Sequence, residues 1–240
     1  MSVALGRAHE GMDYAFPPGT LDREQEVVLN SAKFTSFVMR ARQGLDFRGG
    51  EVLHVVWFGK DRTNPGMILF RSHVRTMEGA RVPGDVTLIR GDAAAILVVL
   101  AYPDGREMAL TVTQPRVAAG DACYREIPAG MTDGGTFLET ARRELQEETG
   151  LDLGGDTPRH LVDYHPSVGG TDEVVGLYTI TRHVSLEEAS AIDGRTAGLV
   201  GEGEVTRVGL VPLHTLAGSR DSKTLLAYHT LMASRPPARA

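Results

Sequence analysis

Residues 142–151 read Arg142-Arg143-Glu144-Leu145-Gln146-Glu147-Glu148-Thr149-Gly150-Leu151, and Pro128-Ala129-Gly130 stands a short loop before them. Positions three and four apart share a helix face, so Glu144, Glu147 and Glu148 project from a single turn. Like charges so placed repel and weaken an isolated helix, which makes a bound cation the natural reason to keep them together. An all-oxygen donor set that leaves room for water suits Mg2+, with Mn2+ able to substitute, rather than zinc, which favours His and Cys. Taken alone, the trio also fits a solvated acidic helix face.

Such a helix needs a scaffold, and 42% hydrophobic residues in 240 suffice for one large domain or a domain with an extension. The stretch to about Gln25 is punctuated by Pro and Gly and reads as extended or poorly ordered. Apolar spacing then predicts a helix from about Ser31, followed by strands at 51–58, 66–77 and 85–89 between turn-forming sequences. Strands at 93–101 and 108–113 flank Pro103-Asp104-Gly105 as a hairpin. A strand at 124–127 precedes the acidic helix, expected over about 136–149. Strands at 161–164 and 174–181, a short helix begun by Ser185, a strand at 205–211 and a helix at 222–232 complete the chain. Strands and helices without a regular βαβ repeat predict an α+β fold around a mixed sheet.

A net charge of −6, with no basic patch interleaved with aromatics, argues against a nucleic-acid partner. The single cysteine, Cys123, cannot form an internal disulfide and is read as a small buried strand residue in a reducing compartment. The longest apolar run, 93–102, is too short to span a bilayer, and the amino terminus lacks a basic-then-apolar signal pattern. No membrane partner and a cytoplasmic location are therefore expected.

The run Arg143-Glu144-Leu145-x-Glu147-Glu148-x-Gly150-Leu151 after Pro128-Ala129-Gly130 resembles the signature of the Nudix hydrolases. The interval from Gly130 to Arg143 is one residue shorter than the family pattern, and Thr136 stands about where an acidic residue is usual. The resemblance implies an α/β/α sandwich around a mixed sheet with an amino-terminal β-rich module. It suggests a flexible segment 1–25, a module 26–89 that dimerises, a catalytic domain 90–235 and a tail 236–240. Metal ligands would be Glu144, Glu148, the Ala129 carbonyl, and Glu147 through water or a shared ion, with Arg143 orienting the carboxylates. Glu147 and Glu148 would thereby serve catalysis, and a general base is expected on a mobile loop, where Glu202 is preferred to Glu204.

Arg90 and Arg116 would bind substrate phosphate or sugar, unless they form internal salt bridges instead. Gly169-Gly170, with Glu173 nearby, would bring backbone close to the ligand or form a plain turn. Further likeness from Phe34 to Ala233, including Thr113-Gln114-Pro115-Arg116-Val117 and Asp221-Ser222-Lys223-Thr224-Leu225, resembles the ADP-ribose and ADP-sugar diphosphatase branch, plant ADP-sugar diphosphatases in particular. That branch implies a homodimer using Mg2+ to split ADP-ribose or ADP-glucose into AMP and a sugar phosphate. A UDP-sugar diphosphatase and a non-catalytic nucleotide-sugar sensor are the alternatives.

Overall fold

A computed structural model describes residues 9–197 and 206–236. The chain divides into two compact units, Met1–Asp92 with Ser167–Val174, and Ala93–Pro166 with Val175–Ala240.

In the first unit, β1 (Asp13–Ala15), β2 (Leu45–Phe58), β3 (Asn64–Thr76) and β4 (Val86–Ile89) form a sheet in that order, with β1 parallel to β2 and the other pairs antiparallel. Two helices, α1 (Asp22–Leu29) and α2 (Ala32–Gly44), precede β2. The Ser31 hydroxyl accepts from the Phe34 N–H and starts α2 where the sequence predicts. Val28, Phe34 and Val38 of the helices bury against Phe47, Val52, Ile68 and Phe70 of the sheet. Phe34 meets Phe70 edge to face, with centroids 5.2 Å apart. Both β1 and the start of α1 fall in the stretch read as extended or poorly ordered. Met12, Tyr14 and Phe16 pack on this core, so tertiary contacts supply an order that local propensity does not show.

The segment Ser167–Val174 is tied into the same unit. The Leu88 N–H donates to the Gly170 carbonyl at 2.9 Å. Buried Asp172 accepts from the backbone N–H of Arg90 (2.8 Å) and Gly91 (3.3 Å) and from the Arg40 guanidinium (3.2 Å). Asp92 accepts from Arg40 at 2.7 Å and from the Val174 N–H at 3.1 Å.

The second unit holds an eight-stranded sheet built from β5 (Ala93–Ala101), β6 (Glu107–Arg116), β7 (Asp121–Glu126), β8 (Ala129–Met131), β9 (Arg159–Tyr164), β10 (Val175–His183), β11 (Thr196–Ala197) and β12 (Thr206–Pro212). The order is β11-β12-β6-β5-β10-β9, with β7 on β6 and β8 on β5. Only β5 and β10 run parallel among these pairs, so the sheet is mixed as expected. The helices are α3 (Phe137–Thr149), α4 (Leu186–Ile192) and α5 (Ser222–Ser234).

Strand β5 has no polar face, and both of its faces are covered. Ala95, Leu97 and Val99 pack with Ala227 and Leu231 of α5, whereas Ala94, Ile96, Val98 and Leu100 pack with Ala141 and Leu145 of α3. This is the expected α/β/α sandwich. Gly176 of β10 lets α3 come close, because a Cβ there would lie 2.7 Å from the Phe137 ring.

The sheet splits where the acidic helix needs a partner. Strand β5 pairs with β6 over Val99–Ala101 and with β8 over Ala93–Ala95, while β6 pairs with β7 from Val112 onward. Ile127-Pro128 joins β7 to β8 across the split, and the Ile96 N–H holds the Pro128 carbonyl at 3.0 Å. Strand β8 was not expected; three residues, one of them glycine, carry no strand pattern, and pairing alone defines it. Cys123 lies on β7 but is exposed, which corrects the buried reading. Among the described residues no helix is long and apolar enough to cross a membrane.

Because Leu145 anchors α3 on the sheet with no exposed surface, Leu145→Ala is expected to cost about 2–5 kcal/mol in chemical denaturation. A loss below about 1 kcal/mol would mean that the helix does not rest on this contact.

Candidate active site

Helix α3 begins with a reciprocal cap. The Thr136 hydroxyl accepts from the Glu139 N–H at 3.2 Å, and the Glu139 carboxylate accepts from the Thr136 N–H at 3.1 Å. Thr136, at the position where the family pattern has an acid, therefore starts the helix here. The helix ends at Gly150, which adopts a left-handed conformation with φ of 70°. Ala141 and Leu145 fix the inward face, which leaves Glu144 and Glu148, four residues apart, facing the loop at the split in the sheet.

Glu148 is buried and accepts the Ala129 N–H at 3.0 Å on one oxygen and the Gln114 amide at 3.3 Å on the other. Both hydrogen bonds come from neutral donors. Burial pushes its carboxyl up to about 8; the Ala129 N–H opposes this shift, and the neighbouring Glu144 and Glu126 carboxylates reinforce it. Glu144 lies against Gly130 so closely that a Cβ on residue 130 would overlap its carboxylate. Arg143 binds Glu144 at 2.8 Å, Glu147 at 2.8 Å and the Met131 carbonyl at 2.9 Å. It thus orients two carboxylates and secures the end of β8.

A second group of charges adjoins the first. Glu126, buried at the end of β7, takes Arg116 Nε at 2.7 Å and Gln114 Nε2 at 3.2 Å on Oε1, while its Oε2 meets Lys223 Nζ. Gln114 therefore touches both Glu126 and Glu148. Glu126, Gln114 and Lys223 were not singled out as site residues from the sequence. Gln114, two residues along β6 from Val112, is the diagonal neighbour of Glu126, and Arg116 reaches Glu126 from beyond a register shift on the same strand; that signal emerges only once the β6–β7 pairing is known.

These arrangements agree with two comparisons. The NUDIX domain family matches residues 91–228. The chain belongs to that family. An Arabidopsis thaliana protein named "Nudix hydrolase 14, chloroplastic" is 33% identical over 175 residues, which cover 68% of this chain and 56% of that protein. The chain thus matches little more than half the length of this relative.

Nudix hydrolases generally use divalent cations such as Mg2+, and the donor chemistry here suits one. Glu148 is a buried acid held by uncharged donors, next to Glu144 and to the Ala129 backbone. Among the described residues no three acidic, His or Cys side chains form a ready-made cation cage. A site completed by a carbonyl and water is what Mg2+ commonly uses.

The other predicted residues fall as follows. Arg116 belongs to the second unit and is paired with Glu126. Arg90, Gly169, Gly170 and Glu173 belong to the first unit, where Arg90 lies 3.6 Å from Glu173. Gly170 forms a turn by donating to the Ser167 carbonyl at 3.0 Å. Glu202 and Glu204 lie outside the described residues.

Glu148 gives a pH dependence with a definite sign. Its carboxyl titrates near 8 when folded and metal-free, against an ordinary 4.5. Between those values the folded state holds a proton that the unfolded state has released, so this group's contribution falls as pH rises from 4.5 toward 8. Metal-free protein should therefore lose melting temperature over that range more steeply than Glu148→Gln. Mg2+ binding at neutral pH should release a proton, read as a heat that varies with buffer ionisation enthalpy. Equal slopes for the two proteins would remove Glu148 as the source.

Proposed function

We propose that the chain is a Mg2+-dependent hydrolase that splits the diphosphate of ADP-ribose or ADP-glucose into AMP and a sugar phosphate. The observation that carries this reading is the buried Glu148 carboxyl, held by neutral donors beside Glu144 and the Ala129-Gly130 backbone. When bound, the divalent ion neutralises diphosphate oxygens and acidifies water. Glu144, Glu148 and the Ala129 carbonyl would hold it, with Glu147 acting through water or a shared ion. Arg143 keeps Glu144 and Glu147 in register.

Arg116 offers its guanidinium to a phosphate oxygen, since its side chain is 43% exposed despite the pairing with Glu126. Within the first unit, Arg90, Glu173 and the Gly169-Gly170 backbone are further candidates for ligand contact. Glu202 is the preferred candidate for the general base, with Glu204 the alternative.

A homodimer is part of this reading. Val56, Phe58 and Val86 are exposed on strands of the first unit, and apolar side chains left in water suit an interface. Cys123, free and without a partner cysteine in the chain, suits a reducing cytoplasm.

The test measures AMP release with Mg2+ from ADP-ribose and ADP-glucose, beside UDP- and GDP-sugars, in wild type and Glu148→Gln. Turnover should fall ~100-fold or more in the variant, with nucleotide-sugar affinity changed by less than about threefold. Wild-type turnover in Glu148→Gln would overturn the assignment, and binding without hydrolysis in the wild type would make the protein a sensor. A larger kcat/KM for UDP-sugars would reassign the base.

A further inference from the structure

Lys223 lies in the first turn of α5 with its side chain 16% exposed, and its Nζ joins two buried carboxylates, Glu126 Oε2 and Asp221 Oδ1, the latter at 2.9 Å. The helix start does not need it. Asp221 caps α5 with its other oxygen, Oδ2, which accepts the Thr224 N–H at 3.0 Å and the Thr224 hydroxyl at 2.5 Å. The Thr224 hydroxyl oxygen in turn takes the Ile127 N–H at 3.0 Å, tying α5 to the end of β7. Burying an ammonium carries a desolvation cost that its two carboxylate partners offset, and removing it alone would leave Glu126 and Asp221 less compensated.

The geometry around Glu126 shows what the lysine does. A guanidinium facing a free carboxylate tends to engage both oxygens in a two-pronged pair. Here Arg116 places Nε (2.7 Å) and Nη2 (2.6 Å) on the same oxygen, Oε1, while Lys223 holds Oε2. Among the described residues, Arg116 Nη1 donates to no protein acceptor. Charge acts in the same direction. Glu126 and Asp221 against Arg116 and Lys223 sum to zero; without Lys223 the group carries one net negative charge, which repels a diphosphate.

We propose that Lys223 is a positioning residue for the substrate diphosphate: by occupying Glu126 Oε2 it keeps Arg116 side-on, with Nη1 free for a phosphate oxygen, and keeps the cluster neutral. This rests on the reading of the ligand as a nucleoside diphosphate sugar. It assigns Lys223 no contact with the reacting atoms.

The experiment compares wild type, Lys223→Met and Lys223→Arg by steady-state hydrolysis of ADP-ribose and ADP-glucose with Mg2+, and by calorimetric titration of each in EDTA. Lys223→Met should raise KM, and the metal-free Kd, by roughly tenfold while kcat changes less than about threefold. Lys223→Arg, which keeps a cation at the same place, should restore most of the affinity. Should the methionine variant fail to fold, Lys223→Gln serves the same comparison, since it keeps a hydrogen-bond donor without the charge. Unchanged KM and Kd in the variant would overturn the role of Lys223 while leaving the hydrolase reading intact. If the wild type binds ADP-ribose and ADP-glucose but cleaves neither, the hydrolase reading fails and the Kd ratio still decides Lys223. A wild type that binds neither overturns both.

Discussion

The structure of the second unit turns on one costly placement: a carboxylate removed from water at the foot of a helix, with only amide donors for company. Glu148 can occupy that position because β5 and β6 diverge and the Ile127-Pro128 link carries the backbone through the opening. The Ala129 N–H then meets one oxygen and the Gln114 amide the other. A group so held gains by acquiring a positive neighbour, whereas Glu144 beside it already pairs with Arg143. The cap at Thr136, the burial of Leu145 and the close approach of Phe137 to Gly176 all set the height and rotation of α3 at which this occurs.

Much of the scaffold was legible in the sequence where one physical rule dominates. The run Ala93–Ala101 has no polar side and proved buried on both. The 3.6-residue period and the bounding Thr136 and Gly150 located α3 almost to the residue. Short elements escaped because nothing local specifies them: β8 exists through its pairing, and β1 through the packing of its own Tyr14 and of the flanking Met12 and Phe16. Cys123 was misjudged because a strand residue can face either way, and only the pairing partners decide which.

At the site, the helix carboxylates were legible because helical spacing fixes their relation within a few residues. The Glu126 cluster was not, because its members come from β6, β7 and α5, and Lys223 stands 97 positions from Glu126 along the chain. A single sequence contains no rule that joins such distant residues. The cations were seen as candidates without their partners: Arg116 and Arg90 are both ion-paired, yet each keeps more than two fifths of its side chain exposed. An internal salt bridge and a ligand contact are thus compatible in one side chain.

The connectivity around Asp172 also constrains how the chain can be dissected. Strands β9 and β10 belong to the second unit, but the residues between them are held by Arg40, Arg90, Gly91 and Asp92 of the first. The backbone visits the amino-terminal unit twice, so no single cut yields two self-sufficient halves. A fragment severed after Asp92 would carry a hairpin connection whose carboxylate has lost every donor it was folded around.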